Sequence, residues 1–125
     1  MPVVGRLPRR LGIILPSLAR DGRPLSAVSR GEIRTRVQQW FAAAFTGSTE
    51  DRLQVRPRLR GRWGAGSGVS VEEVEEIWVF CSTTELRRHK SGLVDLAEWV
   101  WERADQDAVA ILVDGGMELV KGRKS

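Results

Sequence analysis

The hydrophobic pattern of the chain predicts an α+β fold of ferredoxin-like form: a four-stranded antiparallel sheet in βαββαβ order with two helices on one face. A C-terminal hairpin offers a possible extra strand. Three observations carry this prediction. Short apolar runs at 12–15 and 108–113 read as buried strands. Two stretches place apolar residues at helical spacing. Between them, residues 52–63 alternate with period two and are followed, across a glycine-rich loop, by a β-branched and aromatic run.

Residues 1–10 mix Pro, Gly and Arg and predict a flexible basic arm; 11–120 make a single domain, and 121–125 a basic tail. Gly12-Ile13-Ile14-Leu15 is a strand ended by Pro16, and Asp21-Gly22-Arg23-Pro24 has turn chemistry. Ser29-Arg30-Gly31-Glu32 has the spacing of a capping box, behind which Ile33, Val37, Trp40, Phe41 and Ala44 share one helical face, with Gly47 as a stop. The alternating stretch puts Leu53, Val55, Pro57, Leu59, Gly61 and Trp63 on one side. Arg52, Gln54, Arg56, Arg58, Arg60 and Arg62 fall on the other. Pro57 cannot donate to a ladder, which predicts an edge or a bulge there.

Residues 64–68 form the hairpin loop and 71–81 the returning strand. The polar stretch 82–91 predicts a loop. Leu93, Ala97, Val100, Trp101 and Ala104 predict a second helix over about 91–104. Residues 108–113, the turn Asp114-Gly115-Gly116 and the run Met117-Glu118-Leu119-Val120 complete the terminal hairpin.

Composition bounds the function classes. The 125 residues are 42% hydrophobic and 29% charged, as a domain with its own core requires. The apolar runs are too short to span a bilayer, and the N-terminal stretch lacks the long apolar region and cleavage site of a secretory signal, so no membrane partner is expected. Cys81 is the sole cysteine and His89 the sole histidine. That excludes an intramolecular disulfide and a Cys/His zinc site within one chain, and it fits a cytoplasmic protein. No cofactor is implied.

The net charge of +4 is unevenly distributed. Residues 1–68 hold thirteen Arg against four acids, and residues 69–125 hold seven Lys and Arg against twelve. Either the halves neutralise each other within one fold, the reading preferred here, or the basic half meets an anionic partner. Arg56, Arg58, Arg60 and Arg62 would make a linear track for phosphates, with Trp78 and Phe80 as stacking platforms for RNA or single-stranded DNA and Trp63 as a further binding candidate. Against that, a hairpin with Trp63 opposite Val69 places Arg60 opposite Glu72 and Arg56 opposite Glu76, an ordinary cross-strand pairing.

Other candidates are weaker. Glu72, Glu73, Glu75 and Glu76 offer oxygen ligands, but strand alternation divides them between two faces. His89, in the basic run Arg87-Arg88-His89-Lys90, reads as a solvated loop residue with no nucleophile pattern beside it. Cys81 reads as a small buried hydrophobe. The loop 64–68 lacks the Lys-Ser/Thr and the helix of a phosphate-binding loop. Trp40 and Trp101 fall on core faces. Trp99 points off its stripe, and beside Trp78 on an uncovered sheet it would make a subunit interface.

Leu15-Pro16, Asp21-Gly22, Phe45-Thr46-Gly47-Ser48-Thr49, Gly61-Arg62-Trp63, Glu72-Glu73 and Gln106-Asp107-Ala108-Val109 together resemble the pattern of a group of small bacterial α+β proteins without an established activity. The resemblance spans 12–120 and departs at Ser48 and in the basic second strand. It implies the fold, and it marks Thr49, Trp63, Glu72 and Gln106 as members of any shared site. The expected function is a non-catalytic, homo-oligomeric binding or accessory module, dimeric and open to a protein partner. A nucleic-acid binder is the alternative. A small enzyme, using Thr49, Glu72, Arg62 and His89, is the third.

Overall fold

The computed structural model describes residues 6–45, 53–65 and 68–122; for 57–65 and 68–73 it describes the backbone alone. Among these residues the chain runs β1 (Arg9–Leu15), α1 (Ala27–Ala44), β2 (Leu53–Ala65), β3 (Gly68–Cys81), α2 (Thr83–Arg103), β4 (Val109–Val113) and β5 (Gly116–Val120). The strands form one antiparallel sheet in the order β2-β3-β1-β4-β5. The α+β class and the βαββαβ order follow the predicted pattern. The terminal hairpin adds β5 at the edge, so the sheet has five strands.

Alternation sorts the sheet into two faces. Leu11, Ile13 and Leu15 of β1, Ile77, Val79 and Cys81 of β3, and Val109 and Ile111 of β4 pack into one cluster. Ile33, Val37 and Phe41 of α1, with Leu86, Leu93, Ala97 and Val100 of α2, close it from the other side. Both helices therefore cover the same face. Phe41 is fully enclosed there, and truncating a buried aromatic to alanine costs about 3–5 kcal/mol. On the open face Ile14, Val74, Ala110 and Leu112 form a smaller cluster.

The hairpin strands run on into the loop expected at 64–68, β2 to Ala65 and β3 from Gly68, and four further features depart from the sequence reading. β1 begins at Arg9, so the last two residues of the expected arm belong to the sheet. They are held because Arg9 bonds Asp114 and Arg10 reaches Glu76. α1 begins at Ala27, two residues before the box expected at Ser29. Its N-cap is Ser26, whose Oγ accepts from the Ser29 N–H at 3.1 Å.

The expected loop 82–91 is instead the first half of α2. Ser82 Oγ accepts from the Glu85 N–H at 3.1 Å, and Glu85 Oε1 accepts from the Ser82 N–H at 3.0 Å. This is a reciprocal capping box that satisfies two otherwise unpaired donors.

The fourth departure lies in the hairpin. From Leu53 to Arg58 the register is the expected one, with Arg56 opposite Glu76. A bulge between Arg58 and Gly61 then puts one extra residue in β2, so that Gly61, not Arg60, faces Glu72, and Trp63 faces Ser70, not Val69. Because side chains alternate, a one-residue slip exchanges faces. Arg56 and Arg58 share ladder positions with Glu76 and Val74, whereas Arg62 is opposite Val71 in the other set. The regular ladder assumed for the arginine stripe is interrupted at the bulge.

Candidate functional site

The open face is built where β1, β2, β3 and β4 lie side by side. Gly12 is opposite Trp78, and a Cβ there would come within 2.6 Å of Trp78 Cβ and 2.7 Å of the Ile77 carbonyl oxygen. The missing side chain lets β3 lie close against β1. Trp78 and Phe80 meet edge to face at 4.7 Å between centroids, and the Arg10 guanidinium lies 4.1 Å over the Trp78 ring. Arg10 Nη2 also pairs with Glu76 Oε1 at 3.2 Å, and Glu76 is only 5% exposed. Arg10 Nε is buried without a hydrogen-bond partner among the described residues; the indole face takes its charge instead. Phe80, Met117 and Leu119 are exposed.

Two depressions meet at Pro16, where β1 ends. One, on the helix side, is lined by Leu15, Pro16, Arg30, Ile33, Arg34 and Glu75. Arg34 grips Glu75 there through Nε, at 3.1 and 3.0 Å to the two carboxylate oxygens, and through Nη2 at 2.7 Å. The other, on the open-face side, is walled by Ile14, Pro16, Val74, Ala108 and Ala110, with Gln106 as its polar member.

The orientation of Gln106 is set by its surroundings. Its Nε2 donates to the Leu18 carbonyl at 2.6 Å and to the Ala104 carbonyl at 2.9 Å. Turning the amide over would press Oε1 against two carbonyl oxygens, so the donor and acceptor ends are fixed. Both N–H groups are used internally. The amide oxygen is left as the group that Gln106 can offer a ligand.

The predicted site residues are only partly brought together. Arg56, Trp78 and Phe80 belong to the open face. Gln106 stands at one end of it. Arg58, Arg60, Arg62, Trp63 and Glu72 are described by backbone alone, Glu72 lying two positions beyond Val74 on β3, and Thr49 lies outside the described residues.

His89 is a correction. It is on α2 rather than in a loop, half-buried against Phe45 at 5.0 Å and Trp40 at 6.4 Å between centroids. It lies on the helix side of the sheet, away from the open face. Trp99 is corrected too: it packs on the helix-side cluster beneath Arg36, away from Trp78.

The sequence reading missed Arg34 and Glu75 as a pair. The signal lay only in their separate patterns, since the contact spans 41 positions. Among the described residues no group of three or more His, Cys, Asp or Glu side chains is placed to hold a metal ion, and no helix is long and apolar enough to cross a membrane.

No protein-family model and no curated protein matches the chain. Two solved structures do. A phage SAM lyase in complex with S-methyl-5'-thioadenosine superposes with a TM-score of 0.59 at 14% identity, covering 98% of this chain and 95% of that one. A phage SAM lyase in its apo state gives 0.58 at 13% identity, covering 99% of each. At such identities the similarity is one of fold, end to end. It nevertheless overturns the expectation of a non-catalytic module, because in both neighbours this fold is the body of an enzyme.

Proposed function

We propose that the chain is a small lyase acting on a sulfonium substrate of the S-adenosylmethionine (SAM) type and releasing S-methyl-5'-thioadenosine. The observation that carries this reading is the end-to-end match to a lyase, which covers at least 95% of each chain. The depression beside Gln106, a hollow of about 10 Å³, has a lining suited to the reacting end of such a substrate and takes no more than a methyl-sized part of it. To release the thioether, the bond between the sulfonium sulfur and the aminobutyrate chain breaks and its electron pair goes to sulfur. The carbon left behind either is met by a nucleophile or loses a neighbouring proton.

Positive charge on sulfur therefore disappears along the reaction. A wall of Ile14, Pro16, Val74, Ala108 and Ala110 solvates a spreading charge less well than water does and favours its loss. The fixed amide oxygen of Gln106 orients the substrate by accepting from a hydroxyl or ammonium group without competing as a strong base. Where an anionic nucleophile, such as the substrate's own carboxylate, displaces the thioether, no base is needed, and this route suits a site without a histidine better than the loss of a proton does.

The test is incubation of the purified full chain with SAM, followed by chromatography and mass spectrometry for the thioether and the four-carbon fragment. Enzyme-dependent appearance of both supports the reading. No thioether from SAM, together with no calorimetric binding of S-methyl-5'-thioadenosine, overturns it.

A further inference from the structure

The loop that joins α2 to β4 contains a non-glycine residue in the left-handed region: Asp105, with φ of 50°. It occupies the position after the helix cap Ala104. The Asp105 N–H donates to the Glu102 carbonyl at 3.4 Å and the Gln106 N–H to the Trp101 carbonyl at 3.1 Å. This is the bonding pattern of a Schellman motif, in which glycine is the favoured residue. Aspartate adopts this conformation less readily than glycine, so its side chain calls for a reason.

That reason is visible across the loop. Asp105 Oδ1 pairs with Arg20 Nε at 3.1 Å, and the Asp105 carbonyl accepts from the Arg20 N–H at 2.8 Å. One residue on, Gln106 reaches the Leu18 carbonyl in the same β1–α1 segment. The two loops are thus clasped by adjacent residues, and the clasp fixes the amide of Gln106, a residue that lines the open-face depression.

We propose that Asp105 and Arg20 are positioning residues: they hold the β1–α1 segment against the α2–β4 turn so that the Gln106 amide oxygen keeps one orientation toward the substrate. The inference rests on the lyase reading above. An aspartate in place of glycine spends helix-end comfort on the alignment of its neighbour.

The decisive variant is Asp105→Gly, which suits the left-handed backbone and removes the side chain that pairs with Arg20. Its thermal midpoint should hold or rise, because glycine relieves the turn, whereas kcat/KM for SAM should fall roughly threefold to fivefold, the scale of an exposed ion pair. Arg20→Ala should match it, and the double variant should lose no more than either single one. Asp21→Asn, at an exposed pair with Arg23 in the same loop, is the control and should leave kcat/KM unchanged.

A readout independent of turnover is the side-chain NH2 of Gln106 by NMR. It should be dispersed and slow to exchange in the native chain, and move toward free-glutamine behaviour in Asp105→Gly. An Asp105→Gly variant with native kcat/KM and an unchanged Gln106 amide signal overturns the proposal. If the native chain makes no thioether but its Gln106 amide still loosens in Asp105→Gly, the lyase reading falls and the clasp stands.

Discussion

Arg9, at the start of β1, holds Asp114, in the turn between β4 and β5, through both carboxylate oxygens at 2.9 Å from Nε. The Arg10 backbone N–H adds a third bond at 3.1 Å, and the Asp114 N–H donates back to the Arg10 carbonyl at 2.9 Å. Asp114 has φ of 55°, so the aspartate is both the pivot of the hairpin and the anchor of its neighbour strand.

Arg9, and after it the Arg10 N–H, hold the Asp114 carboxyl below the ordinary aspartate range. A carboxyl with a lowered folded-state value stabilises the fold above its unfolded value, and that contribution is lost as pH falls through the folded one. Asp114→Asn should therefore melt below the native chain at pH 7. The gap should close as the pH is taken well below about 4, the unfolded value. Thermal unfolding across that pH series checks it; a gap that persists unchanged at low pH contradicts the assignment.

Gly12 makes the second prediction. Because its Cβ would press on the Trp78 Cβ and the Ile77 carbonyl, Gly12→Ala must separate β1 from β3 at the centre of the sheet. Overpacking of this kind costs about 1–3 kcal/mol. Gly115, with open space around it, should accept alanine within about 0.5 kcal/mol, the range of an ordinary surface change. Denaturant unfolding of the two variants side by side tests the contrast.

Much of this architecture was legible in local pattern, and the failures have identifiable causes. The strands that became β1 and β4 were visible because a fully buried strand writes a short apolar run. β2 was visible because alternation is unmistakable at that length, and β3 because it is rich in β-branched and aromatic residues. What local pattern could not show is the bulge between Arg58 and Gly61, which moves the later arginines to other ladder positions. Pro57 hinted at an irregularity without locating it.

The first half of α2 was misread because Arg87, Arg88, His89 and Lys90 look like a loop by polarity. The correct signal, Ser82-x-x-Glu85, was present and local. Gln106 was marked by the resemblance. Its orientation was not, since it depends on Leu18, 88 positions away. The pairing of Arg34 with Glu75 is of the same kind.

The three serines near helix starts separate the two sets of caps. Ser26→Ala and Ser82→Ala each remove an oxygen that accepts from a first-turn N–H, and should each cost about 0.5–2 kcal/mol. Ser29→Ala removes no such acceptor, because Ser29 lies inside α1 and contributes its backbone N–H only. It should be neutral or slightly stabilising, alanine being the better helix former. A Ser29 variant as damaging as the Ser26 variant would return the cap to the position read from the sequence.

The self-association read from the sequence stands as a proposal, and the open face is where it is decided. Phe80 is 45% exposed beside Trp78, and Met117 and Leu119 lie exposed on β5, at the sheet's edge. If a second copy covers this face, light scattering at tens of micromolar should give a multiple of 14.0 kDa. Phe80→Glu should then shift the mass toward the monomer while leaving the circular dichroism spectrum intact, since Phe80 takes no part in the helix-side core. A native chain that is monomeric at that concentration removes the proposal without touching the lyase reading.

The last prediction concerns Gln106 itself. Gln106→Ala deletes the oriented amide oxygen together with two hydrogen bonds to the Leu18 and Ala104 carbonyls, so it should lower both activity and stability. Gln106→Glu separates the two effects. An ionised carboxylate cannot donate to either carbonyl, so the loops should part, the thermal midpoint should fall, and the unfolding free energy should drop by about 1–3 kcal/mol for carbonyls left unpaired. Yet an acceptor oxygen stays near the depression, and a sulfonium substrate is drawn to negative charge. Because that charge favours the cationic ground state over a transition state in which sulfur has lost its charge, the glutamate should lower KM for SAM and lower kcat more. Steady-state kinetics at neutral pH reads the split. A glutamate variant with native kcat would show that no charge is lost beside Gln106, and would place the reaction elsewhere in the fold.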